Sequence, residues 1–201
     1  VALGGDLSKV SQESMRDAIA ASINANNPNI GLKSEVDAMK KRILISQTLH
    51  DKPLSDTIYQ MLIFNNTPAE HILYTNCDDE ISRIPEGERV YDYLRDFFVN
   101  SYSTEKIFVL FVTSENTKKS WGAIAEVGAA WITQVDNKIF NIHPFRPEHP
   151  LDDESVWQST GRDEDGCWLL RLNADIFCQK IEAVCTQLGY PHQTRAKNMA
   201  H

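Results

Sequence analysis

The sequence predicts an α/β chain built on a doubly wound, flavodoxin-like sheet of five parallel strands, with a short helical appendage at its N-terminus. Two observations lead there. From Arg42 onward, short runs rich in β-branched and aromatic residues alternate with amphipathic stretches of helical length. The runs are apolar throughout instead of alternating with polar residues, which is the pattern of strands covered on both faces.

Residues 1–41 stand apart as an N-terminal helix and linker. Met15, Ile19 and Ile23 recur at i, i+4 and i+8, and the breaker-rich stretch Asn24–Gly31 then ends the helix. Residues 42–190 form the domain, with strands expected at Arg42–Ser46, His71–Thr75, Lys106–Thr113, Lys138–His143 and Cys167–Leu172. Helices are expected near Leu54–Phe64, Glu88–Ser101, Lys118–Thr133 and Ala174–Leu188, so the two kinds of element alternate strictly. Glu148–Gly166 is rich in carboxylates and poor in apolar residues, which predicts a mobile surface loop anchored by Trp157, either a lid or an idle insertion. Residues 191–201 read as a tail.

The totals exclude several classes. With 42% hydrophobic and 24% charged residues, a chain of 201 residues makes a packed core and is neither disordered nor fibrous. The net charge of -8 and the lack of a basic cluster argue against nucleic acid as a partner. The longest apolar run, Ile107–Val112, is too short to span a membrane, and no basic-then-apolar signal opens the chain, so the expected location is cytoplasmic. Cys77, Cys167, Cys178 and Cys185 have neither C-x-x-C spacing nor a histidine at zinc-finger distance; they are expected to be reduced thiols, and no metal is expected. Phosphate-binding glycine loops and the nucleophile elbow are likewise missing, which disfavours dehydrogenase, kinase and serine-hydrolase chemistry.

In a doubly wound sheet, ligands bind beyond the carboxyl ends of the strands, where strand order reverses. The candidate segments are therefore Ser46–Lys52, Asn76–Gly87, Ser114–Trp121 and His143–Arg146. Beside them, Trp121–Ile132 is apolar or glycine at every position except Glu126. With Ser120 as cap, Glu126 lies beyond the first turn, too far in to serve only as a dipole-complementing acid. Ile124, Val127 and Trp131 are expected to form the core stripe, while the small residues around them allow close approach. A carboxylate in these surroundings is costly unless paired, which makes it the first candidate for function; a salt bridge to Lys118 or Lys52 is the alternative.

Three segments, Arg42–Leu54, Asn76–Glu88 and Phe108–Trp131, together resemble the Toll/interleukin-1 receptor (TIR) domain family of bacteria. Arg42-Ile-Leu-Ile-Ser46-Gln47 followed by His50-Asp51-Lys52-Pro53-Leu54 is similar to the family's first box, with Gln47 where a histidine is usual. Asn76–Glu88 resembles the loop that ends in a glycine before the next helix. Phe108–Ser114, Ser120-Trp121 and Glu126-Val-Gly-Ala-Ala-Trp131 resemble the third strand and fourth helix, with the aromatic at Trp121 five residues before the glutamate instead of four. The resemblance covers residues 42 to about 190.

It implies cleavage of the nicotinamide–ribose bond of NAD, with Glu126 catalytic and NAD a substrate, no separate cofactor being required. Ser46, Gln47, Lys52, Arg83, Ser114 and Trp121 are the implied substrate-binding residues: Ser46 for the ribose, Lys52 and Arg83 for the pyrophosphate, Trp121 for stacking. Lys52 and Arg83 read equally as solvated surface cations, Trp121 as a core aromatic, and His50 and His143 as spectators or proton relays. The implied partners are further copies of the chain, through TIR–TIR contacts, and a partner effector protein in bacterial anti-phage defence. Two other readings stay open. Glu126-Val-Gly-Ala-Ala is also similar to the E-x-G-x-A helix of nucleoside deoxyribosyltransferase-like enzymes, and the other reading is a TIR module that assembles through Asn76–Gly87 without catalysing anything.

Overall fold

The computed structural model describes residues 40–201 other than 146 and 150, so the expected N-terminal helix and Arg146 lie outside the described residues. The chain is α/β, with a mostly parallel sheet of six strands in the order β2-β1-β3-β4-β5-β6. The strands are β1 (Lys40–Ser46), β2 (Ile72–Leu73), β3 (Glu105–Thr113), β4 (Asp136–His143), β5 (Ser155–Arg162) and β6 (Trp168–Leu172). The helices are α1 (Lys52–Phe64), α2 (Val90–Thr104), α3 (Trp121–Thr133), α4 (Ala174–Leu188) and α5 (Arg195–Ala200).

Local chemistry sets the boundaries. Pro53 opens α1, where a missing N–H is harmless. Ser120 caps α3 by accepting from the Ala123 amide at 3.2 Å, and Gln134 closes it in the left-handed conformation. Asn173 caps α4, and Gly189 at φ 68° ends it, so this helix has the bounds its sequence predicts.

The two faces of the sheet carry separate cores. On one, Ile43, Ile45, Phe108, Leu110, Val112, Phe140 and Ile142 pack against Ile58 and Leu62 of α1 and Phe177 and Ile181 of α4. On the other, Leu44, Val109, Phe111 and Ile139 meet Leu94, Phe97 and Phe98 of α2 and Ala130 of α3. Register holds these sets together: Leu44 pairs with Val109, Ser46 with Phe111, and Phe111 with Ile139.

Four expectations need correction. The sheet has six strands, not five, because Ser155–Arg162 is paired parallel to β4 and antiparallel to β6. This strand lies inside the segment read as a mobile loop. It was hidden because only Val156 and Trp157 are buried in it, so no apolar alternation marks it. Trp157 is an anchor as expected, packed between Phe140 and Phe177 at centroid distances of 6.3 and 6.0 Å. The last strand, β6, is an antiparallel edge and not a fifth parallel strand. The second strand shrinks to Ile72–Leu73, since His71 belongs to a 3-10 turn and Tyr74 donates its amide to Ser82. Residues 191–201 include α5, tied down by Arg195 to Glu182 and by the buried Asn198 to Asn65.

Among the described residues no helix is long and apolar enough to cross a membrane. The four cysteines are free thiols, with Cys167 exposed and the other three buried.

Candidate functional site

Strand order reverses between β1 and β3, because the chain leaves β1 for β2 on one side and passes through β3 to β4 on the other. The crevice at the carboxyl ends of β1 and β3 is thus the place where topology alone puts a ligand. Ser46 ends β1 there and is buried, on the same face as Leu44 and hence on the side covered by α2 and α3.

Helix α3 presents Glu126 to that crevice. Ala123 and Ala130 are buried and Val127 is partly so, whereas Ile124 and Trp131 are 46% and 57% exposed. The expected core stripe of Ile124, Val127 and Trp131 is therefore wrong by about a third of a turn. The helix turns its small residues to the sheet, which lets its backbone come close, and leaves its large ones outside. Glu126 follows Ala123 by three residues and precedes Ala130 by four, so it shares their inward stripe.

Burial raises the Glu126 carboxyl from its ordinary 4.5 to about 7, opposed by the Ser46 hydroxyl, which favours the anion. No cation contributes to that balance. Lys118 lies 3.6 Å from Glu115, and Lys52 lies 2.9 Å from Asp56 and 3.1 Å from Asp78. Neither lysine takes the ion-pairing role considered for it. The result is a proton-binding group with a midpoint near neutrality beside one hydroxyl, at the fold's natural ligand position.

The other predicted residues lie around the same end of the sheet or on the surface beside it. Ser114 is buried and donates to Asp51 at 2.7 Å. The Gln47 side-chain amide is buried at the tip of β1, and neither its nitrogen nor its oxygen has a hydrogen-bond partner among the described residues. An unpaired buried amide costs free energy that a polar ligand can recover. Lys52 joins α1 to the loop after β2, with a pKa raised by its bonds to Asp56 and Asp78, and Arg83 pairs with Glu80 at 3.1 Å. Trp121 begins α3 and is 84% exposed, so it is not a core aromatic. His50 is exposed, and His143 ends β4 partly buried.

Sequence reading missed Asp51 as more than part of a motif, and missed Thr113, Asn116 and Asn141. Thr113 and Asn141 are paired in register, on the same face as Ser46, and their side chains hydrogen-bond to each other. Asn141 was the available signal, being the one polar side chain buried in an otherwise apolar strand interior. Among the described residues no group of three or more His, Cys, Asp or Glu is arranged to hold a metal ion.

No family model, curated protein or solved structure matches this chain.

Proposed function

We propose that this chain is a TIR-type enzyme that cleaves the bond between nicotinamide and ribose in NAD, with Glu126 as its catalytic residue. One observation carries the reading: a carboxylate without a cationic partner is held on the inward stripe of α3, against the Ser46 hydroxyl at the strand-order reversal. The order of the first five strands, β2-β1-β3-β4-β5, supports the flavodoxin-like assignment.

The chemistry suits a single acid. Ordinary glycosidases need a second carboxyl group to protonate the departing oxygen. In NAD the bond from the ribose C1′ to the pyridinium nitrogen breaks with its electron pair going to that nitrogen, so nicotinamide leaves neutral and needs no proton. Positive charge develops on the ribose, and the Glu126 carboxylate stabilises it or orients the ribose hydroxyls. Water then adds at C1′ and loses a proton to give ADP-ribose, or a nucleophile of the substrate itself closes a cyclic product. The cationic nicotinamide ring draws Glu126 toward its ionised form on binding.

In this reading Ser46 orients the carboxylate, and the unpaired Gln47 amide hydrogen-bonds substrate. Lys52 and Arg83 face the pyrophosphate, Trp121 stacks on a base, and Ser114 shapes the loop beneath. The biological setting is bacterial anti-phage defence, as an effector or as the source of an ADP-ribose-derived signal to a partner effector protein.

The exposed apolar residues Trp121, Ile124, Trp131 and Ile132 of α3, and Ile81 in the loop after β2, favour a second reading in which the module assembles with copies of itself. The two readings are compatible, since assembly can complete a site.

The test is incubation of concentrated protein with NAD, resolving nicotinamide, ADP-ribose and cyclic products, alongside Glu126→Gln. Loss of turnover in a folded variant supports the assignment, and unchanged turnover removes it. Deoxyinosine in a parallel reaction tests the transferase chemistry, and sizing with and without NAD tests assembly.

A further inference from the structure

We infer that Asp51 is a positioning residue for the Glu126 site, its carboxylate pinning the loop after β1 to the loop after β3 across the crevice. The inference rests on the proposed reading of Glu126 as the reacting carboxylate. Asp51 is 5% exposed, and three side chains donate to it. Thr48 and Ser114 reach Oδ2 at 2.7 Å each, and Asn116 reaches Oδ1 at 3.0 Å.

Position argues against a purely local role. Asp51 immediately precedes α1, where an aspartate normally caps the helix, yet its side chain makes no capping hydrogen bond. It reaches instead to partners 63 and 65 residues further along the chain. From those partners the contact passes to both walls of the crevice. Thr48 lies two residues beyond Ser46. On the other side, Ser114 accepts from the Asn116 amide at 3.0 Å and donates its own amide to Thr117 at 2.9 Å, which fixes the turn leading to the Ser120 cap of α3. Asp51 thereby ties the loop that follows Ser46 to the loop that leads into α3, the helix that carries Glu126.

The donor set suits a carboxylate, both of whose oxygens accept. An asparagine that keeps its oxygen toward Asn116 turns its NH2 group toward the Thr48 and Ser114 hydroxyls, which must then accept where they now donate. Asp51→Asn therefore keeps the shape while removing the charge that strengthens the link.

The experiment compares wild type, Asp51→Asn and the double variant Ser114→Ala/Asn116→Ala. It reads the Glu126 carboxyl titration by carbon-13 NMR, assigned through Glu126→Gln, and the kcat and KM for nicotinamide release. In folded variants the Glu126 midpoint is expected to fall by about one unit toward the ordinary carboxylate range as water enters, with kcat lowered about tenfold or more. The double variant carries the test if Asp51→Asn does not fold. A midpoint unchanged in both folded variants overturns the inference, as does an altered midpoint with unchanged kinetics in an active protein. If wild type releases no nicotinamide while the midpoint still moves, the NAD reading fails and the positioning role of Asp51 stands.

Discussion

Asp51 and Glu126 lie at the same end of the sheet, Asp51 buried and Glu126 half-buried, neither reached by a lysine or arginine among the described residues, yet their surroundings differ in kind. Asp51 accepts from three side chains and is enclosed by the loops it joins. Glu126 has the Ser46 hydroxyl alone against its desolvation, so its proton is held up to about pH 7. Carboxylates withdrawn from water become structural when their lone pairs are filled and become reactive when they are not. The difference lies in the number of donors, since the more deeply buried of the two is the better satisfied.

The sharpest way to break that comparison is to neutralise Glu126. Glu126→Gln preserves shape and removes only the charge, so nicotinamide release from NAD should fall by about 10²–10³-fold or more, while circular dichroism remains that of wild type. A variant that turns over at the wild-type rate would leave Glu126 with no catalytic part.

A second effect concerns pH. If the anion is the active form, kcat/KM for nicotinamide release should fall about tenfold per unit below the Glu126 midpoint and level off above it. The midpoint expected in the free enzyme is about 7. A flat profile between pH 6 and 8 would be incompatible with a single carboxylate titrating there.

Stability should move in opposite directions at the two acids. The Glu126 pKa rises on folding from 4.5 to about 7, so the native state binds more protons than the unfolded chain between those values. Stability is accordingly full below pH 4.5 and is lost as pH rises through about 7. Glu126→Gln does not incur that loss, and its unfolding free energy from urea titration should exceed that of wild type by about 1–3 kcal/mol at pH 8, with the gap narrowing toward pH 5. Asp51→Ala leaves two buried hydroxyls and the partly buried Asn116 amide without their acceptor and should destabilise by about 1–3 kcal/mol. Finding both substitutions destabilising at pH 8 would refute the contrast.

How much of this was legible in the sequence follows from the range of each interaction. β1, β3, β4 and α4 were readable because their apolar runs and caps are local; α4 begins after Asn173 and ends before Gly189 in both readings. Glu126 was readable as the lone charge in an apolar helix. The rotation of α3 was not, because large side chains were taken to mark the inner face, whereas a helix that comes close to a sheet does so on its small residues. β5 escaped for a related reason: its pairing is backbone chemistry, and its exposed Gln158–Arg162 half carries no pattern. Asp51 was visible as a motif letter only, since two of its three partners are supplied by a loop that the fold brings back across the sheet.

The smallest expected effect isolates the one hydroxyl that lowers the Glu126 pKa. The Ser46 hydroxyl favours the anion and so opposes the rise caused by burial. Ser46→Ala removes that donor without adding bulk, and the Glu126 midpoint should therefore climb above its wild-type value by less than about one unit. The pH profile of nicotinamide release should shift by the same amount in the alkaline direction, with its high-pH plateau less affected than its acid limb. The two readouts are independent, because NMR titration follows the carboxyl without substrate. A midpoint that falls on removing Ser46 would mean that water replaces the hydroxyl and solvates the carboxylate better, and Glu126 would then owe its proton affinity to the tightness of the β1 tip more than to the apolar face of α3.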